Sequence, residues 1–189
     1  MTVFRSLRTL GSATFADSGD VAAAFKYIFS RAGSRPCVVN MSATDDLGPH
    51  DGMAASEQSL DRLLEVPGRA ITVAAGNSNL NASHAAGTVP PGGSTTLVLK
   101  YTGGAVQNDT AEIWYDGHDE FAVTVTAPTI PPTIVTLPAP GTPSITSALP
   151  GGGGGSVFVS STKHDSRNND NVISIVITRA LNDQIPVGN

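Results

Sequence analysis

The sequence predicts two fold classes in series. Residues 1–87 read as a partial parallel-sheet α/β half, and residues 88–189 as an antiparallel β-sandwich-like half. Three observations lead there. Up to residue 87, short apolar runs alternate with helical apolar periodicity. The order strand, helix, strand, helix, strand requires right-handed crossovers and therefore a parallel sheet. Beyond residue 88, Thr, Val, Gly and Pro dominate and no helical period survives. Turn signals then recur at short intervals, as in sandwiches.

The first half opens with Thr2 to Leu10 as a strand. Asp17 and Asp20 can cap a helix, because carboxylates satisfy free N–H groups and suit the positive end of the dipole. Ala22, Phe25, Tyr27, Ile28 and Phe29 supply its apolar face, and Gly33 stops it. Cys37 to Met41 is a short apolar run, read as a buried strand. A polar loop from Thr44 to Gly52 follows. Ala54, Leu60, Leu63 and Leu64 line a second helix, which Pro67-Gly68 ends. Ala70 to Ala75 is the third strand, also read as buried.

In the second half the strands are Ser94–Tyr101, Thr110–Tyr115, Phe121–Thr126, Thr133–Leu137, Ser156–Ser161 and Val172–Thr178. Pro90 to Gly93, Gly103-Gly104, Asp116-Gly117, Pro150 to Gly155 and Arg167 to Asp170 separate them. The Gly151–Gly155 run reads as a flexible loop rather than a phosphate cradle, since neither Lys-Ser/Thr nor a helix follows it.

Composition narrows the function. Hydrophobic residues make up 40% of the chain, enough for a core, and charged residues only 14%, against ~25% in typical soluble chains. Eleven Lys and Arg against sixteen Asp and Glu give a net charge of -5. That excludes the basic face of a nucleic-acid binder. No apolar run reaches the ~20 residues that span a bilayer, so no membrane association is expected. Met1 to Leu10 holds two arginines and no apolar segment before a cleavage site, so no signal peptide is read there. A single cysteine, Cys37, excludes an internal disulfide and a cysteine-based zinc ribbon. Its apolar neighbours make it a core residue rather than a nucleophile.

Motifs in the first half carry a family resemblance. Val38-Val39-Asn40-Met41-Ser42 precedes a helix and then Val73-Ala74-Ala75-Gly76-Asn77. Between them stand Gly48-Pro49-His50-Asp51-Gly52 and Pro67-Gly68-Arg69. This constellation resembles the subtilisin-like serine peptidases, and a bacterial branch of them in particular. His84 and Gly87 also have look-alikes in that branch, just before an inserted β-domain. The resemblance covers residues 15–87 and extends loosely into the β half. It implies that Asn77 is an oxyanion-hole donor, and that Ser42, Ala43, Ala74, Ala75 and Gly76 line the substrate cleft. It also implies a peptide or ester substrate, and members of the family are often secreted. Elementary chemistry agrees for Asn77. Glycine at 76 permits a sharp backbone turn, and a neutral amide can face a developing oxyanion without changing protonation.

The family's catalytic motifs are missing. Neither Gly-His-Gly-Thr-His nor Gly-Thr-Ser-Met-Ala occurs. Asp17-Ser18-Gly19 matches the aspartate motif only superficially, because it lies where a helix begins; it reads as a cap. The chain is therefore expected to be an internal piece of, or a protein derived from, such a peptidase, starting after the catalytic His and stopping before the catalytic Ser. Loss of the whole triad costs ~10⁶ in kcat. Alone, the chain is not expected to be a competent peptidase. An incomplete parallel sheet also exposes strand edges, which predicts a homo-oligomer or a complementing chain.

Other chemistry would have to come from histidine. Of His50, His84, His118 and His164, three are followed by Asp, in His50-Asp51, His118-Asp119 and His164-Asp165. Imidazole titrates near neutrality and is the commonest metal ligand. His50, Asp51, His84 and His118 are the candidates for a divalent ion, calcium or zinc, that could activate water without a triad. Neither His-Glu-x-x-His nor an EF-hand loop is present, and solvated polar turns explain the same residues. Ser42, Ser56, Ser78 and Ser83 fall near the inferred cleft, but nothing in the sequence orients a base toward them. The alternatives are thus a free-standing hydrolase of activated esters using non-family His/Asp or metal chemistry, and a β-sandwich binding module. Trp114 reads as a core anchor before it reads as a sugar platform. Asn40, Asn81 and Asn108 head formal glycosylation triplets, with Asn40 at a strand end expected to be buried.

Overall fold

A computed structural model describes residues 2–9, 18–42, 46–77, 83–99, 107–127, 132–137, 140–141, 143–149 and 155–178. The elements are β1 (Thr2–Thr9), α1 (Ser18–Ala32), β2 (Cys37–Met41), α2 (Ala55–Leu64), β3 (Arg69–Val73), β4 (His84–Ala86), β5 (Gln107–Tyr115), β6 (Val123–Ala127), β7 (Thr133–Leu137), β8 (Ile145–Ala148), β9 (Ser156–Thr162) and β10 (Asn171–Thr178). They fall into two compact units: Gly11–Ala82, and Met1–Leu10 together with Ser83–Asn189.

The α/β unit is small. β2 and β3 pair in parallel from Cys37↔Arg69 to Met41↔Val73. Two flanking bonds extend the ladder: the Cys37 N–H donates to Gly68 O at 2.9 Å, and the Ala74 N–H to Met41 O at 3.0 Å. Phe25, Phe29 and Val39 are buried together, ringed by Val21, Cys37, Met41, Leu60, Leu63 and Ile71. Both helices thus cover the odd-numbered face of the sheet. α1 stops where Gly33 takes a φ of +64°, the left-handed conformation that glycine adopts without Cβ strain. α2 starts with the Ala54 N–H donating to Glu57 Oε2 at 3.0 Å. Asp17, the expected cap of α1, lies outside the described residues. At the far end of α2, Arg69 donates from Nη1 to Leu63 O at 3.1 Å while its guanidinium sits 4.9 Å from the Phe29 ring centroid. A cation there suits the negative helix end and lids the core.

Neither parallel strand is buried on both faces. Val38 is 67% exposed, Val73 is 52% exposed, and Asn40, Ala70 and Thr72 are exposed. The expectation of two buried strands is corrected: an apolar run does not reveal that only one face has helices on it.

The β unit contains a six-stranded antiparallel sheet, in the order β4-β1-β5-β10-β9-β8, and the β6-β7 hairpin. Alternation along the strands builds its core. Ala111, Ile113 and Tyr115 of β5 join Ile173 and Ile175 of β10, Val157 and Val159 of β9, Val135 and Leu137 of β7, and Leu149. Phe121, Val123 and Val125 pack against them, so the hairpin closes one face of the larger sheet. The antiparallel half of the expected architecture is observed, as two layers of unequal width.

β4 and β8 match no expected strand, and two expected strands behave differently. β1 does not extend the parallel sheet. It runs antiparallel to β5 from Thr2↔Trp114 to Thr9↔Gln107, and its other edge takes β4. The eight-residue β1 finds a partner of matching length on β5, and more backbone groups are satisfied than on the five-residue β2 or β3. Residues 94–99 form no strand, and Val98 is 87% exposed. Their aliphatic and β-branched composition gives propensity without a partner, and propensity alone does not hold a strand. Tyr101 lies outside the described residues.

Candidate functional site

Parallel pairing of β2 and β3 brings their carboxyl ends to one edge of the sheet. Ser42 leaves β2 there, and Ala74-Ala75-Gly76-Asn77 leaves β3. In open parallel sheets, ligands bind outside the carboxyl ends of the strands. Gly76 has a φ of +87°, which redirects the chain immediately before Asn77. Asn77, Ser42, Ala74 and Ala75 are exposed and Gly76 is half-buried. Ala43, Ser78 and Asn81 lie outside the described residues.

Side chains on the open face link the two strands. Thr72 donates from Oγ1 to Asn40 Oδ1 at 2.8 Å, and the Asn40 amide donates from Nδ2 to Ser42 Oγ at 3.4 Å. Asn40 therefore stands exposed rather than buried. This edge of the sheet offers an exposed amide, a hydroxyl and strand-end backbone, all neutral. Such groups bind an extended chain or stabilise developing negative charge, but none is a base.

The histidine candidates divide between the units: His50 and Asp51 in the α/β unit, His84 and His118 in the β unit. His50 is exposed with a φ of +52°, between Gly48 at +111° and Gly52 at +81°. Asp51 Oδ1 accepts the Met53 N–H at 2.9 Å, so this loop turns the chain into α2. His84 is exposed on β4, opposite Phe4 in register. His118, 91% exposed, sets Nδ1 2.7 Å from Asp116 Oδ1. The His118 backbone N–H and ring together hold the Asp116 carboxyl below its usual range. Among the described residues, no three or more His, Cys, Asp or Glu side chains gather to hold a metal ion. No described helix is long and apolar enough to cross a membrane.

Compared with models of known families, with curated proteins and with solved structures, the chain matches none.

Sequence reasoning places turns at Asp116-Gly117 and Arg167 to Asp170 but misses that the β5–β6 and β9–β10 turns lock together. Asn171 is fully buried. It donates from Nδ2 to Asp119 O at 2.9 Å and accepts the His164 N–H at 2.9 Å. A Cβ on Gly117 would collide with the Asn169 carbonyl oxygen. Arg167 grips Asp165 with two bonds, Nε to Oδ1 at 2.6 Å and Nη2 to Oδ2 at 2.8 Å, and lies 4.6 Å over the Trp114 ring. Trp114 is 3% exposed and donates from Nε1 to Glu112 Oε2 at 3.0 Å. It is covered, not a platform. Tyr115 packs on Phe121 at 4.5 Å, and among the described residues its buried hydroxyl meets no hydrogen-bond partner. Burial pushes that hydroxyl up to about 12; the Phe121 backbone offsets this in part, while the Glu120 and Asp119 charges add to it. The two turn signals were legible; their contact, 52 residues apart between Asn171 and Asp119, was not.

Proposed function

We propose that the carboxyl edge of the β2–β3 sheet is the substrate-cleft side of a subtilisin-like hydrolase centre. In this reading Asn77 donates its amide to the oxyanion. Ser42 with Ala43, and Ala74 through Gly76, supply the cleft backbone. The nucleophile and base come from a complementing chain, since this sequence lacks both of those motifs. The observation that carries the reading is that the Ser42 and Ala74–Asn77 segments leave the carboxyl ends of adjacent, paired parallel strands. The resemblance to the subtilisin-like peptidases implies that adjacency, and another strand order would have separated the two segments.

The test is ester and peptide turnover by the purified chain, alone and mixed with a subtilase segment carrying the His and Ser motifs. No turnover is expected alone, and turnover is expected on mixing. Asn77→Ala should then lower kcat by ~10²–10³, the cost of one oxyanion donor, about 2.7–4 kcal/mol. Turnover by the pure chain that survives Asn77→Ala would overturn the reading, and its response to EDTA would show whether a metal is responsible.

A further inference from the structure

We draw no further inference here: the strongest candidate, the open face of the β2–β3 sheet formed by Val38, Asn40, Ala70 and Thr72, is an unpartnered face with nothing in the structure to show what covers it.

Discussion

The two units solve the problem of burial very differently. In the β unit, two layers close on each other, and the fully buried side chains include Leu137, Ile173, Val157 and Val159. In the α/β unit, the buried cluster is Phe25, Phe29 and Val39, all on one side of a two-stranded sheet. Parallel sheets elsewhere are covered on both faces. The proposed site therefore sits on the thinner unit, whose outer face is open.

Core deletions should separate the units most sharply. Phe29→Ala removes the most buried ring of the small cluster and should cost about 3–5 kcal/mol. Helical circular dichroism should melt early, while the unfolding midpoint read from Trp114 emission stays in place. Ile173→Ala is the converse. It should cost about 2–5 kcal/mol and move the Trp114 midpoint while sparing the helical signal. Midpoints that shift together in both variants would erase the contrast between the units.

The turn joint offers a smaller effect within the β unit. Gly117→Ala forces a methyl against the Asn169 carbonyl and should cost about 1–3 kcal/mol, read as a lower urea midpoint. An unchanged midpoint would mean that the joint gives way freely.

Acid should reveal the Arg167–Asp165 pair. The Arg167 guanidinium holds the Asp165 carboxyl below its usual range, with burial opposing. A carboxylate depressed in the folded state contributes stability above its unfolded value of about 3.9 and loses it as pH falls through the folded value. Arg167→Met should flatten the loss of stability between about pH 4 and lower values. A parallel acid profile in both proteins would remove this pair from the stability of the β unit.

The smallest effect is at Tyr115. Its hydroxyl favours the neutral form in the folded state, so stability should decline from about pH 10 towards about 12, as the unfolded phenol ionises first. Tyr115→Phe should abolish that decline and change neutral stability by less than ~1 kcal/mol, because among the described residues the hydroxyl has no hydrogen bond to lose. A larger loss at neutral pH would show that the hydroxyl has a partner in solution.

Much of the local structure was legible. Gly33 and Pro67-Gly68 mark the helix ends because their backbone preferences act within a turn. Thr133–Leu137 matches β7 residue for residue, and Ser156–Ser161 and Val172–Thr178 miss β9 and β10 by one residue each. Period-two alternation with turn punctuation suffices for such strands. The candidate site was legible only as a list. Asn77 and Ser42 could be named from motifs. The bond from Thr72 through Asn40 to Ser42 could not, because it crosses 32 residues of chain.

The sequence by itself determined both described helices and most of the strands, that the second half is antiparallel β structure, and that the His and Ser motifs of the resembled family are lacking. Tertiary structure decided that β1 crosses to the β unit, that one face of the parallel pair stays open, and that the histidine candidates are divided between two units. The reason is the range of the forces. Capping, backbone preference and alternation act over a few neighbouring residues. The choice of a strand's partner depends on which edge of matching length is free, and no local stretch of sequence encodes that edge.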